Sequence, residues 1–287
     1  MNSFLSLPVT RSLRASACLA LGLAFGLPSL WAAEAPITPK STLVLFNGKD
    51  LTNFYTWVPA SGRHQDPDRV FTVVDQIDGA PAIRASGQFY GGFITKSEYT
   101  NYRLVVEYRW GLTTWGNRKS KTKDAGLLLH CVGEDGNSVK GFDGPWMKSV
   151  EYQIIEGGTG DILLVGGFDR ATGVRSSPKM TVAVQPGKKV WSPGGVPTEF
   201  EGGRLDWQYR DLGWKDTLGF RGARDVEKAT EWNKIEVICR GGDVVYYLNG
   251  VKVNEGTKGS LTAGKILFQS EGAEIYYRGI ELHPLPR

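Results

Sequence analysis

The chain has 287 residues, of which 41% are hydrophobic and 11% aromatic, with 37 glycines and a formal net charge of +4. Acidic and basic residues are mixed along its whole length, and this weak, dispersed charge argues against a nucleic-acid partner. After the first thirty-odd residues no apolar run reaches the length of a bilayer, so the sequence predicts no membrane span.

The first 33 residues have the pattern of a secretory signal peptide. Two arginines precede an apolar stretch over residues 15–30, and alanines follow at positions 32, 33 and 35. We therefore expect cleavage there, export to the periplasm or secretion, and a mature protein with a single domain over residues 36–287. Cys131 and Cys239 remain after cleavage, and their strand-like surroundings leave open whether they pair or stay as buried thiols.

The mature chain is a succession of short strand-like segments separated by turn residues. None of these segments shows helical periodicity over ten or more residues, whereas residues 101–110 alternate apolar and polar side chains. Asp78-Gly79 and Asn249-Gly250 are hairpin signals. The pattern predicts an all-β sandwich or barrel. The expected strands are 42–46, 70–75, 80–86, 93–96, 101–110, 125–132, 150–155, 161–165, 181–184, 232–239, 244–248, 252–253, 265–269 and 274–282.

Residues 166–230 are the least regular part and hold most of the prolines and paired glycines. A structureless stretch of this length is usually functional or contains short strands that the pattern does not reveal. Trp191, Trp207 and Trp214 lie here, and they could either stack on sugar rings or fasten the segment to the body of the protein.

The candidate functional strand lies at residues 150–161. Glu151 and Gln153 are two residues apart and share one face of a strand. Glu156 falls on the opposite face of a regular strand, but one β-bulge between Gln153 and Glu156 would turn it towards Glu151. Two carboxylates and an amide would then be available for proton transfer. The alternative is a regular strand with Glu151 in solvent and Glu156 at the start of a Gly-rich loop.

Two other strands carry polar residues that require an explanation. Glu107 and Arg109 share one face of the strand at 101–110, which is therefore either solvent-facing or a polar site. His130 lies in the apolar strand at 125–132, where it is either a hydrogen-bonded structural residue or part of a site.

The spacing of Glu151, Gln153 and Glu156 is similar to the Glu-x-Asp-x-x-Glu strand of laminarinase-type glycoside hydrolases, which are concanavalin-A-like jelly rolls. Gln153 stands where those enzymes have the central aspartate. An amide cannot hold two glutamates in different protonation states by its charge, so this substitution weighs against retaining glycosidase chemistry.

A closer resemblance, to the 3-keto-disaccharide hydrolase domain family (3-keto-glucoside 1,2-lyase / 3-keto-2-hydroxyglucal hydratase), covers most of the mature chain. Ala125 and Gly279 depart from it, standing where serine and asparagine are usual. The segments that carry it are 45–51, 124–130, 149–161, 231–233, 248–250, 268–274 and 277–280.

This resemblance implies a concanavalin-A-like jelly-roll β-sandwich that binds a carbohydrate, a 3-keto-glucoside, and cleaves it by C2 deprotonation, elimination and hydration. Such chemistry needs a base, an enolate stabiliser and an acid for the leaving group. The implied catalytic residues are His130, Glu151 and Glu156, with His130 or Glu156 as the C2 base. The implied substrate-binding residues are Arg109, Gln153, Asp161, Glu107 and Gln269.

No cofactor is required by this chemistry, although a divalent metal ion held by His130 and Glu156 would act as a Lewis acid for the enolate. Two other functions fit the same pattern. A non-catalytic, lectin-like module would need the tryptophans and amides but not paired carboxylates. A retaining glycoside hydrolase would use Glu151 and Glu156 with their carboxyl groups about 5–5.5 Å apart.

Overall fold

The computed structural model describes Met1 and residues 34–207, 210–211 and 213–285. The predicted signal peptide, apart from Met1, lies outside the described residues. Residues 35–287 form one compact unit. Among the described residues, no helix has the length and apolar character needed to cross a bilayer.

The described residues form twenty strands and one 3-10 turn, Gly116–Arg118. The strands are β1 Leu43–Val44, β2 Phe54–Val58, β3 Gly62–Arg63, β4 Phe71–Ile77, β5 Ala80–Ala85, β6 Gly91–Thr95, β7 Tyr102–Thr114, β8 Asp124–Val132, β9 Lys148–Ile155, β10 Ile162–Val165, β11 Gly167–Phe168, β12 Arg175–Ser176, β13 Lys179–Val184, β14 Val196–Glu201, β15 Gly203–Leu205, β16 Asn233–Arg240, β17 Asp243–Leu248, β18 Val251–Gly256, β19 Lys265–Ser270 and β20 Ala273–Pro284.

Two eight-stranded antiparallel sheets contain most of these strands. Sheet I has the order β18-β17-β16-β7-β20-β5-β4, with β1 paired to β20, and sheet II has the order β15-β10-β9-β8-β19-β6-β2-β3. The chain passes repeatedly between the two sheets, and their inner faces pack together. This is the all-β, concanavalin-A-like jelly-roll sandwich that the sequence predicted.

Both hairpin signals form hairpins, β4–β5 and β17–β18. In each turn both central residues have positive φ, 50° and 84° at Asp78 and Gly79 and 50° and 81° at Asn249 and Gly250. This conformation matches the right-handed twist of the flanking strands, and Asn-Gly and Asp-Gly adopt it at low cost.

Alternation determines which side chains enter the core between the sheets. On β7, Leu104, Val106 and Tyr108 are completely buried in that core, and on β9 Tyr152 joins them. The intervening residues point away from the core. On β9, the side chains that alternate with Tyr152, among them Glu151, therefore lie on the outer face of sheet II.

The segment 166–230 contains the five short strands β11 to β15. Its Trp191 and Trp207 are at most 3% exposed and belong to the core. Trp214 donates a hydrogen bond of 2.9 Å to the carbonyl of Glu156 and lies beneath the guanidinium of Arg210. Of the two roles considered for these tryptophans, fastening the segment is the one that fits. Elsewhere, Cys131 and Cys239 are buried free thiols.

Phe93 tests the packing of the two sheets. It is completely buried, and its ring stacks on Phe268 with a centroid distance of 4.6 Å and an interplanar angle of 4°. We expect Phe93→Ala to lower the free energy of unfolding by about 3–5 kcal/mol because it leaves a cavity. Urea denaturation would measure the change. Leu112→Ala, at a side chain 96% exposed, should change stability by less than about 0.5 kcal/mol. A similar loss in both variants would contradict this account.

Candidate active site

Strand register places polar groups in two neighbouring rows across the outer face of sheet II. The backbone pairs of β9 with β8 and β10 put Glu151 between Leu128 and Leu163. The same pairs put Gln153 between Gly126 and Asp161. The first row runs Tyr55, Ile94, Leu267, Leu128, Glu151, Leu163 and Arg204. The sequence correctly placed Glu151 and Gln153 on one face.

Gly126 creates the space in which Glu151 and Gln269 meet. A Cβ at position 126 would stand 2.6 Å from Gln269 Oε1 and closer still to Glu151 Oε1. The two side chains therefore converge over the bare backbone of β8. Glu151 and Gln269 are 4% and 1% exposed, and Gln269 Oε1 has no hydrogen-bond partner within the described chain. A buried acceptor without a partner is costly in free energy unless a ligand or water satisfies it.

Glu151 has a carboxyl group that holds its proton near neutral pH. Burial, followed by the charge of Asp124, raises its pKa from 4.5 to about 8, against the opposing effects of Arg204 and a hydrogen bond with Gln269. Desolvation is thus the dominant cause, since it disfavours the charged form.

Asp124 begins β8 and is the second carboxyl group of the site. It forms an ion pair with Arg118, which projects from the 3-10 turn, and accepts a hydrogen bond of 2.5 Å from the amide of Gln153. Burial raises its pKa to about 6, and the charges of Arg118 and Arg204 oppose that rise. Asp124 is therefore ionised at neutral pH, where Glu151 is mostly protonated.

Glu271 follows β19 and adds a third carboxyl group. Burial, Asp124 and Glu151 together raise its pKa well above the ordinary value, while Arg118 and Arg204 oppose them. Three carboxyl groups consequently share the field of two guanidinium groups. Asp124, Arg118, Arg204 and Glu271 were given no role from the sequence. Asp124 lies in a segment that carried the family resemblance, whereas Arg118 lies outside all of those segments.

Glu156 does not join Glu151, so the expected bulge is wrong. Strand β9 pairs with β8 without a register shift from Val150 to Ile155. Glu156 therefore emerges on the other side at the strand end. Its Oε2 accepts hydrogen bonds from the backbone of Lys123 and Gly219, at 3.0 and 2.8 Å. These bonds fix a turn, so Glu156 is a structural residue and not a partner of Glu151.

His130 is also separated from the cluster. It lies two residues beyond Leu128, the cross-strand neighbour of Glu151, but at a bulge where its φ is 51°. Its Nδ1 is 3.1 Å from the carbonyl of Leu261, and its ring packs edge-on to Tyr102 in the core. Burial lowers its pKa to about 4. The structure therefore does not bring His130 together with Glu151, and its catalytic role stays a prediction.

The two residues expected to hold a metal thus lie apart. Within the described residues, no three His, Cys, Asp or Glu side chains are arranged to bind a metal ion. The residues present do not fit the metal site that His130 and Glu156 were expected to form.

Glu107 and Arg109 lie on the other sheet. Their strand β7 belongs to sheet I, and both side chains point to its outer face. Glu107 accepts a hydrogen bond of 2.7 Å from Arg278, and Arg109 forms an ion pair with Asp78. Glu107 borders a shallow recess of about 590 Å³ on the far side of the sandwich. The structure therefore places both residues away from Glu151, and their role in substrate binding stays a prediction.

Asp161 is completely buried beside Gln153 and organises the neighbouring loop. It accepts a hydrogen bond of 2.8 Å from the backbone of Trp207 and forms an ion pair with Arg210. Burial raises its pKa to about 7, opposed by Arg210 and Arg204. It lies beside the site, next to Gln153.

Gly126→Ala tests the convergence of Glu151 and Gln269. The added methyl group should displace both side chains towards solvent, and the pKa of Glu151 should fall from about 8 towards 4.5 because burial is its main cause. The expected loss of stability is about 1–3 kcal/mol. Carboxyl-carbon NMR titration would measure the pKa, and urea denaturation would establish that the variant is folded. An unchanged Glu151 pKa in a folded variant would contradict the geometry.

The chain is similar to several solved structures and to one protein family. Two crystal structures of Parabacteroides distasonis proteins, each described as a candidate glycosyl hydrolase, align with 85–86% of this chain and 94–99% of theirs. Their identities are 19% and 20% and their TM-scores 0.47 and 0.44. A Bacillus licheniformis β-glucanase aligns over 86% of this chain and 99% of its own, at 10% identity and a TM-score of 0.39. The comparison with curated proteins gave no match. The profile of the 3-keto-alpha-glucoside-1,2-lyase-like domain matches residues 42–283, and the chain belongs to that family.

Proposed function

We propose that this protein cleaves 3-keto-glycosides by proton abstraction at C2 and elimination of the aglycone from C1, followed by hydration. The observation that carries the proposal is the pair of Asp124 and Glu151. Both are buried on adjacent strands of one face; the first is paired with Arg118, while the second has no ion pair within the described residues. Family membership supports a carbohydrate substrate.

The different environments of these two carboxyl groups assign their roles. Asp124 has a pKa of about 6 and Glu151 of about 8, so near pH 7 the first is a base and the second an acid. Asp124 takes the role of C2 base that the sequence gave to His130 or Glu156. Glu151, one of the catalytic residues that the family resemblance implied, acts as the acid for the leaving group.

The elimination then follows from ordinary carbonyl chemistry. The ketone at C3 acidifies the C2–H bond. Asp124 accepts the proton, and the electron pair of the broken C2–H bond forms the enolate. The enolate returns its electrons to form C1=C2, and the C1–O bond breaks. Glu151 donates its proton to the departing oxygen, which leaves as the aglycone alcohol.

Hydration completes a net hydrolysis. Water adds to C1 after losing a proton to the carboxylate of Glu151, and Asp124 returns its proton to C2. The product is the 3-keto sugar, and both carboxyl groups regain their starting protonation states.

Neighbouring side chains would stabilise the negative charge that develops on the C3 oxygen. Arg118 and Arg204 act on Asp124 electrostatically, so their guanidinium groups lie close enough to act on an enolate formed beside it. The amides of Gln153 and Gln269 are suited to sugar hydroxyl groups. Preorganised charges of this kind commonly supply a large share of catalysis.

The retaining glycosidase that was considered as an alternative loses its catalytic pair, because Glu156 is bonded to backbone amides away from Glu151. A lectin-like module would have no use for two buried carboxyl groups with different pKa values. We also propose, from the sequence of residues 1–33, that the protein acts outside the cytoplasm.

Variants of the two carboxyl groups should separate the two steps. Asp124→Asn should lower both C2 deuterium exchange and aglycone release on a 3-keto-glucoside by about 10²–10⁴-fold, since it removes the base. Glu151→Gln should retain C2 deuterium exchange but lose aglycone release. Glu107→Gln, on the far face of the sandwich, is the matched control and should behave as wild type. Wild-type release in Asp124→Asn, or binding without turnover by the wild-type protein, would refute the proposal.

The pH dependence should show the same pair. Activity requires the ionised form of Asp124, which becomes protonated as the pH falls below about 6. It also requires the protonated form of Glu151, which loses its proton as the pH rises above about 8. We expect kcat/KM to be bell-shaped with an optimum near pH 7. Glu151→Gln should lose the alkaline limb of the profile, measured with an activated aglycone. A profile that keeps both limbs in this variant would assign the alkaline limb to another group.

A further inference from the structure

A recess of about 490 Å³ lies beside the proposed catalytic pair, between the loop at residues 133–147 and strands β10 and β15. We name it the rim recess. It is separate from the larger hollow on sheet I. The lining residues that carry the argument are Val139, Pro145, Trp146, Leu163, Arg175 and Arg204.

The rim recess begins one strand away from Glu151. Leu163 on its wall is the direct cross-strand neighbour of Glu151, and Arg204 is the next residue in the same row. Neighbouring side chains in such a row lie about 5 Å apart. Any group attached to the oxygen that Glu151 protonates can therefore extend into this recess, while the sugar occupies the side of Gln269 and Gly126.

The walls of the rim recess are apolar and include one aromatic side chain, that of Trp146. Trp146 is half-buried and packs against the hydrophobic cluster that contains Leu128 and Leu267. Val139 and Pro145 lie on the same loop as Trp146, and Leu163 is on the facing strand. A flat ring stacks well on such a surface.

The charges of the rim recess have one sign. Its lining residues, all of them described, include Arg175 and Arg204 and no acidic residue. Arg175 is exposed and has no carboxylate partner in the described parts of the chain. Its guanidinium lies over Gly166, where a Cβ would stand 2.7 Å from Nη2. Arg204 reaches Asp161 only at 3.6 Å and keeps 32% of its side chain exposed. Guanidinium groups with unused donors favour a carboxylate.

We propose that the rim recess is the aglycone subsite and that it selects an aromatic aglycone bearing a carboxylate, an inference that rests on the proposed elimination reaction. The aromatic ring stacks on Trp146 beside Leu163. The carboxylate lies at the rim and accepts hydrogen bonds from Arg175. The glycosidic oxygen remains at Glu151.

Two matched substrates test this selectivity. The 4-carboxyphenyl and 4-carbamoylphenyl 3-keto-glucosides have similar size and shape and differ in charge. We expect the wild-type protein to favour the carboxylate by about tenfold in kcat/KM, the size of one well-placed charged contact. Arg175→Ala should reduce this preference to less than about twofold. Arg170→Ala, which removes a nearby arginine that pairs with Glu134 outside the rim recess, should preserve it.

A second pair of variants works without removing an arginine. Val139 is 40% exposed, so polar residues there should be tolerated. Val139→Asp should abolish the preference by repelling the carboxylate, and Val139→Asn should retain most of it. Titration calorimetry with free 4-hydroxybenzoate provides a readout independent of turnover, and Arg175→Ala should weaken its binding about tenfold.

The outcomes separate the two proposals. Turnover of methyl 3-keto-glucoside without a preference between the aryl substrates would overturn the aglycone subsite and leave the elimination reaction standing. The aglycone subsite would also be overturned if Arg175→Ala and Arg170→Ala showed the same preference for the 4-carboxyphenyl over the 4-carbamoylphenyl substrate. A protein that turns over none of the 3-keto-glucosides would refute the proposed reaction and, with it, the subsite.

Discussion

The ion pair between Arg118 and Asp124 is the contact on which the chemistry of the site depends. Without it, a carboxylate buried among two other carboxyl groups would take up a proton, since desolvation and like charge both favour the neutral form. All three acids would then be protonated at neutral pH and the site would lack a base. Arg118 also bonds Asp216, at 3.2 Å, so the same side chain fixes the adjoining loop.

The same arrangement of a buried acid beneath an arginine recurs around the site. Asp161 is paired with Arg210, and Glu227 with Arg221. Glu227 also accepts hydrogen bonds of 2.6 Å from Tyr108 and 2.7 Å from Trp110 on β7. Because β7 belongs to sheet I, this acid connects the loop over sheet II with the opposite sheet. Removing one partner of such a buried pair generally costs more than the pair itself contributes.

The sequence predicted the sandwich well because its signals are local. Period-two alternation and the Asp-Gly and Asn-Gly turns need no long-range information, and they located most strands to within a few residues. The face shared by Glu151 and Gln153 follows from the same alternation. The strands of segment 166–230 were mostly missed, since they are short and interrupted by proline and glycine.

The rest of the site depends on contacts between distant residues. Arg204 enters the row of Glu151 only through the register of β15 on β10. The position of Glu156 was misjudged because its carboxylate bonds the backbone amides of Lys123 and Gly219, and no spacing rule reveals such partners. The position of His130 was misjudged because a bulge with positive φ reverses the alternation near the end of β8. Asp124 gains its importance from Arg118, whose orientation comes from the turn before it.

The arginine anchors of segment 166–230 limit how this part of the protein can change during evolution. Asp161 and Glu227 stand at its two ends, and each needs a guanidinium from within the segment to remain charged. Insertions and deletions before β15 leave both attachments in place. Loss of Arg210 or Arg221 would leave a buried carboxyl group, Asp161 or Glu227, without its closest ion-pair partner. Divergence among descendants of this chain should therefore accumulate in the stretches between these attachment points, where the shape of the pocket can change while its floor stays fixed.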